Sequence, residues 1–117
     1  MKGIDIAVGL AYVGEDEELY RAVLTDYADY IEEQAQAIER ALAAEDTETF
    51  VIEVHSLKST SRTIGAQALS DQAKELEELG KRCEWEQIRV KTPGMLKAYR
   101  ELYPVITAYC AGSAGGH

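Results

Sequence analysis

The sequence predicts an all-α protein: an antiparallel four-helix bundle with a short additional helix at the N-terminus. Three observations carry this expectation. From Glu15 to Ile64 there is neither Gly nor Pro, and Ala, Glu, Leu and Gln, all good helix formers, dominate much of that stretch. Apolar residues recur at steps of three and four, and strand-type alternation is sustained nowhere. Short polar links separate the apolar stripes, as expected where consecutive helices pack antiparallel.

At the N-terminus, Ile4, Ile6, Ala7, Leu10 and Ala11 suggest a short helix closing one end of the bundle. The first long helix is predicted from Asp16 to Ala44, with Asp16 as N-cap and Glu17 and Glu18 at the positive end of the helix dipole. Its apolar stripe reads Leu19, Val23, Tyr27, Ile31, Ala35, Ile38 and Leu42, and its length is about 40 Å at ~1.5 Å per residue. Asp46 caps a second helix from Thr47, whose inner face is Phe50, Val54, Leu57, Ser61 and Ile64, and Gly65 is its C-cap. A third helix uses Leu69, Ala73, Leu76, Gly80 and Cys83. Residues 84–91 read as a connection with a helical turn near Trp85 and Ile88. Thr92-Pro93 then reads as an N-cap with proline in the first helical position. The last helix uses Leu96, Tyr99, Leu102 and Ile106, and Pro104 is expected to bend or shorten it.

The 117 residues fit one domain, predicted over residues 1–110. Residues 111–117 are rich in Gly, Ala and Ser and read as a flexible tail, a linker or an expression remnant. The chain carries 21 Asp and Glu against 12 Lys and Arg, a formal charge of −9. That balance argues against gripping a nucleic-acid backbone or an anionic membrane surface. No apolar run approaches the ~20 residues of a membrane span, and Met1-Lys2-Gly3-Ile4-Asp5 lacks a signal peptide's apolar region. Cys83 and Cys110 form no CxxC pair, so neither a disulfide framework nor a structural zinc site is expected. The expectation is a reduced, cytoplasmic, monomeric domain.

His55 is the one histidine within the predicted bundle. At ~100° per residue, the inner face of its helix clusters within about 40°, and His55 falls about 140° away, towards solvent. An isolated surface histidine is more often incidental than functional. Its neighbours shift that balance. Val51, Ile52, Lys58, Ser59 and Arg62 share its side of the helix, Lys58 three residues on and Arg62 seven. Val51 and Ile52 are apolar where a solvated face would carry charge; they either contribute to a docking surface or flank the neighbouring helices. An exposed imidazole with cations beside it suits nucleophilic chemistry on an anionic group.

His55-Ser56-Leu57-Lys58-Ser59-Thr60-Ser61 resembles the signature of histidine-containing phosphotransfer (HPt) domains, His-x-Leu-Lys-Gly-small-small followed by an Ile/Leu-Gly-Ala turn. Here that turn is Ile64-Gly65-Ala66, and Leu69, Ala73, Leu76 and Glu77 continue the pattern. The segment from Gly14 to Tyr20 is similar to the start of the family's long first bundle helix, so the resemblance spans about residues 4 to 110. It implies that His55 accepts a phosphoryl group from the aspartyl phosphate of a response-regulator receiver domain and passes it to another. It also implies that Lys58 lies beside the phosphate. Ser59 stands where the family has Gly; its hydroxyl is a candidate hydrogen-bond partner for His55 Nδ1 or for the phosphate, altering rate or affinity. Val51, Ile52, Ser59 and Arg62 are the candidate partner-binding residues.

The reading of the residues assigns neutral Nε2 of His55 as nucleophile, with the proton on the other ring nitrogen held by a local acceptor. There is no Walker A loop, glycine-rich nucleotide motif or kinase catalytic element. The domain therefore reads as a phosphate carrier rather than an enzyme, with no cofactor or metal of its own and with Mg²⁺ expected in the partner receiver. A free-standing carrier and a module working with a hybrid sensor histidine kinase, in cis or in trans, both fit this reading. The alternatives are the phosphotransfer domain of a chemotaxis-type histidine kinase and an inert helical interaction module. A di-iron bundle needs several inward Glu and two Glu-x-x-His elements, which one outward histidine does not provide.

Overall fold

Apolar stripes, end signals and short links produce five helices in the computed structural model, which describes residues 1–115. They are α1 (Ile6–Tyr12), α2 (Glu17–Ala44), α3 (Thr47–Ile64), α4 (Gln67–Lys81) and α5 (Trp85–Gly115), and no strand occurs among the described residues. Links of two or three residues make each of α3, α4 and α5 run against its predecessor. Contacts between α2 and α3, α3 and α4, α4 and α5, and α2 and α5 close the ring, while α1 lies across α2 and α3. The bundle measures 49 × 22 × 19 Å. None of its helices is long and apolar enough to cross a membrane, among the described residues.

Local chemistry sets the helix ends. The Asp5, Asp16 and Asp46 carboxylates accept from the backbone N–H three residues on, at 3.3, 3.0 and 3.1 Å. Three helices end with the same wrap, in which Asp46 N donates to Ala41 O, Ala66 N to Ser61 O and Glu84 N to Leu79 O. The left-handed residue in these turns is Glu45, Gly65 and Cys83 respectively. At Gly65 (φ 95) glycine is required twice over. A Cβ there would lie 2.1 Å from Asp5 O, where the chain before α1 docks through the bond from Asp5 N to Gly65 O.

The α3 inner face is buried as expected, from Phe50 to Ile64. Four expectations need correction. On α2, Tyr20 and Leu24 are fully buried, while Leu19 is 48% exposed. The helix is rotated in its first turns because the Tyr20 hydroxyl donates to Ile64 O at 2.8 Å and Gly9 of α1 packs against the Tyr20 ring. Cys83 lies beyond α4 in the left-handed turn and is exposed, so it is no part of the α4 stripe.

The third correction concerns α5, which begins at Trp85 rather than at Pro93. Trp85 meets Phe50 edge-on at 5.6 Å and Ile88 is fully buried, so tertiary packing holds the first two turns helical. Thr92 is then an interior residue, fully buried, not a cap. Pro93 and Pro104 are both exposed within α5, and Pro104 does not shorten the helix. Finally, Ala111 to Gly115 continue α5 where a tail was expected. Helix propagation fixes one residue per hydrogen bond, and half-buried Tyr109 and Cys110 anchor the preceding turn. The rest of the expected tail, residues 116–117, lies outside the described residues.

Candidate functional site

His55 follows fully buried Val54 on α3 and precedes Leu57, also fully buried, by two residues. Their burial fixes the rotation of the helix and leaves the imidazole 58% exposed. The ring is not free on all sides. Its Nδ1 lies 2.7 Å from Glu77 Oε2. Lys58 Nζ, one turn along α3 and 20% exposed, donates to the other oxygen, Glu77 Oε1, at 2.7 Å. Lys81 Nζ stands 3.5 Å from Glu77 Oε2 on the solvent side, 62% exposed.

Glu77 reaches α3 because α4 packs closely against it. Gly80 makes the approach possible: a Cβ there would lie 2.9 Å from Val51 Cγ2 and 3.2 Å from Phe50 Cδ2. The Ser70 hydroxyl fixes the other end of the contact by donating to Lys58 O at 2.8 Å. Glu77 itself is only 5% exposed. Burial pushes its carboxyl up, but the hydrogen bonds from Lys58 and His55 outweigh burial and hold it down at about 2. An ionised carboxylate only accepts hydrogen bonds, so the proton between the two groups belongs to Nδ1. In the neutral ring Nε2 then carries the lone pair.

The other candidate residues separate into two groups. Ile52 is 58% exposed and Arg62 is exposed, on the open side with His55. Val51 and Ser59 are half-buried. Val51 packs towards Gly80, the helix-flanking role left open by the sequence. Ser59 is not the partner of Nδ1, which belongs to Glu77; it lines a groove of about 450 Å³ between α2 and α3 with Val23, Tyr27, Tyr30 and Thr63. Periodicity put Lys58 one turn from His55 but did not show that it is tied to a buried acid. The role of Glu77 and the neighbourhood of Lys81 were missed. One signal was available: Glu77 follows Ala73 by four residues, which puts a carboxylate on the apolar stripe of α4.

Fold and site together define an all-α bundle that displays a surface histidine backed by a buried, ionised carboxylate. The sequence matches the model of the Hpt domain over residues 22–102. Two solved structures share the fold. The HPT domain of a sensor hybrid histidine kinase from Shewanella superposes with a TM-score of 0.85 at 18% identity, covering 93% of this chain and 94% of that one. Histidine-containing phosphotransfer protein B from Pseudomonas aeruginosa superposes with a TM-score of 0.82 at 24% identity, covering 92% and 94%. No curated protein matches the sequence. The chain belongs to the Hpt domain family, and its class is that of the phosphotransfer proteins of two-component signalling.

Proposed function

We propose that this domain is a phosphorelay intermediate that accepts a phosphoryl group on His55 from a receiver-domain aspartyl phosphate and returns it to a second receiver. The observation that supports this most is the bond from Nδ1 to Glu77, which leaves the lone pair of the neutral ring on Nε2 of a side chain that is 58% exposed. In the forward step the Nε2 lone pair attacks phosphorus. The Nε2–P bond forms as the bond from phosphorus to the aspartyl oxygen breaks, and the carboxylate leaves with that electron pair. The Nδ1 proton stays in place, so the ring becomes cationic, and the negative charge of Glu77 stabilises it. In the reverse step a receiver carboxylate attacks phosphorus and the Nε2–P pair returns to the ring. No group is consumed, which suits a reversible carrier.

Lys58 holds Glu77 in position and lends positive charge to the phosphoryl oxygens. Mg²⁺ belongs to the receiver in this reading, beside the phosphoryl-bearing Asp. Ile52 and Arg62, with Ser59 at the groove beside them, form the surface on which the receiver sits, while Val51 supports it from the contact with Gly80, and the domain acts as a monomer in the cytoplasm. The test is incubation with phosphorylated receivers and Mg²⁺, followed by assay for acid-labile, alkali-stable label. Label on the wild type and none on His55→Gln is the expected result; label that persists in His55→Gln removes the site, and absence of label with every receiver of the source organism removes the function.

A further inference from the structure

On the side of His55 away from α4, the groove of about 450 Å³ runs between α2 and α3. Ser56 and Ser59 line it, one residue and one turn beyond His55, so it opens beside the imidazole. Thr60 and Thr63, also in its wall, turn their hydroxyls back to Ser56 O and Ser59 O at 3.1 and 2.9 Å, which leaves their methyl groups for the groove. Three tyrosines add aromatic surface. Tyr27 and Tyr99 are buried and meet edge-on at 5.7 Å, and Tyr30 is 42% exposed.

Asp26 is the one charged residue lining the groove, and none of the ion pairs among the described residues takes it in. Glu53 and Glu33 add to the negative field. Burial first, and then their two charges, push the Tyr30 hydroxyl above its ordinary value. Gln34 Nε2 holds Glu53 in place by donating to Oε1 at 3.1 Å. The cations Lys58 and Lys81 lie on the other side of His55, towards α4. The imidazole therefore stands between a basic edge and an acidic, aromatic groove.

We infer that this groove is a subsite for an arginine side chain of the receiver, recognised by Asp26 and Tyr30. An aliphatic stem fits a wall of methyl groups and rings. A guanidinium is planar and weakly hydrated, stacks on aromatic faces and forks onto a carboxylate, so it suits a tyrosine beside an unpaired Asp26 better than an ammonium does. An acidic side chain in the same place is repelled. The occupant comes from the receiver because the groove opens beside His55, where the phosphoryl donor is seated; this rests on His55 being the phosphoryl carrier. The contact is non-covalent, and it favours receivers that present the arginine over those that do not.

The first test is a ¹H–¹⁵N NMR titration of the domain with N-acetyl-arginine methylamide and with its neutral, nearly isosteric citrulline counterpart. The arginine amide should shift the amide signals of Tyr30, Ser56, Ser59 and Thr63 with half-saturation at about 10 mM, and the citrulline amide should not. Asp26→Asn and Tyr30→Leu should each weaken the response severalfold, while the rest of the spectrum reports an intact bundle. In transfer from a phosphorylated receiver, Asp26→Asn should raise KM about fivefold without a matching fall in kcat, because the contact seats the partner and does not touch the transferred group. Equal shifts with the two amides, shifts that Asp26→Asn leaves unaltered, or a KM that it leaves unaltered overturn the inference. Wild type that takes no label on His55 from any receiver overturns the carrier function, and the subsite's receiver occupant with it; the NMR titration needs no phosphoryl group, so the two failures are told apart.

Discussion

Replacing Glu77 by Ala removes the acceptor of His55 Nδ1 and the partner of Lys58 together, at a position only 5% exposed. The consequence for transfer follows from the charge developing on the ring. With Glu77 present, the cationic ring formed with the Nε2–P bond meets a carboxylate 2.7 Å from Nδ1. With alanine it meets a half-solvated hole, and the neutral ring is free to place its proton on Nε2, where it blocks attack. A hydrogen bond to a charged group is worth about 2–3 kcal/mol, so the transfer rate should fall about 30- to 150-fold. Glu77→Gln keeps an oxygen for Nδ1–H but loses the negative charge, and a fall of about tenfold is expected. Rapid-quench transfer from a radiolabelled phosphoreceiver measures the rates, and circular dichroism confirms the fold. A Glu77→Ala domain that transfers at the wild-type rate would refute the argument that the carboxylate sets the tautomer.

The structure also makes predictions about stability. Gly65→Ala places a methyl 2.1 Å from Asp5 O at φ 95, so it should cost the ~1–2 kcal/mol of a left-handed alanine and more for displacing the link to α1; urea denaturation measures the loss. Glu77 is held at about 2 against an ordinary 4.5, so its carboxyl binds a proton more readily in the unfolded chain than in the folded one. Its stabilising contribution is therefore complete above about pH 4.5 and disappears as the pH falls towards 2. Unfolding curves for wild type and Glu77→Gln should differ above about pH 4.5 and converge as the pH falls from there towards 2; a difference that does not change with acid would contradict the ionised, doubly bonded carboxylate.

Much of the bundle follows from the sequence because its cause is local. Asp16 and Asp46 need only their own N-terminal turns to act as caps, and Gly65 needs only its missing Cβ to enter the left-handed turn. The inner face of α3, from Phe50 to Ile64, follows from a period of 3.6 residues, and so does the outward direction of His55. Where a tertiary contact competed with a local rule, the sequence misled. Pro93 is a favourable helix start, yet Trp85 against Phe50 and the burial of Ile88 carry α5 back to Trp85. Leu19 lies on the apolar stripe of α2, yet the bond from Tyr20 to Ile64 turns that stripe away from it.

The site divides in the same way. His55 and Lys58 lie three residues apart on one helix, so periodicity alone places them together. Glu77 stands 22 residues from His55, and its meeting with both depends on how closely α4 approaches α3. That distance is set by Gly80 against Phe50 and Val51 and by Ser70 against the backbone of Lys58. The sequence by itself determined the helices and the exposure of the imidazole, because both depend on residues within a few positions. Only the tertiary structure decided which group holds the proton on Nδ1, because the carboxylate that accepts it comes from another helix.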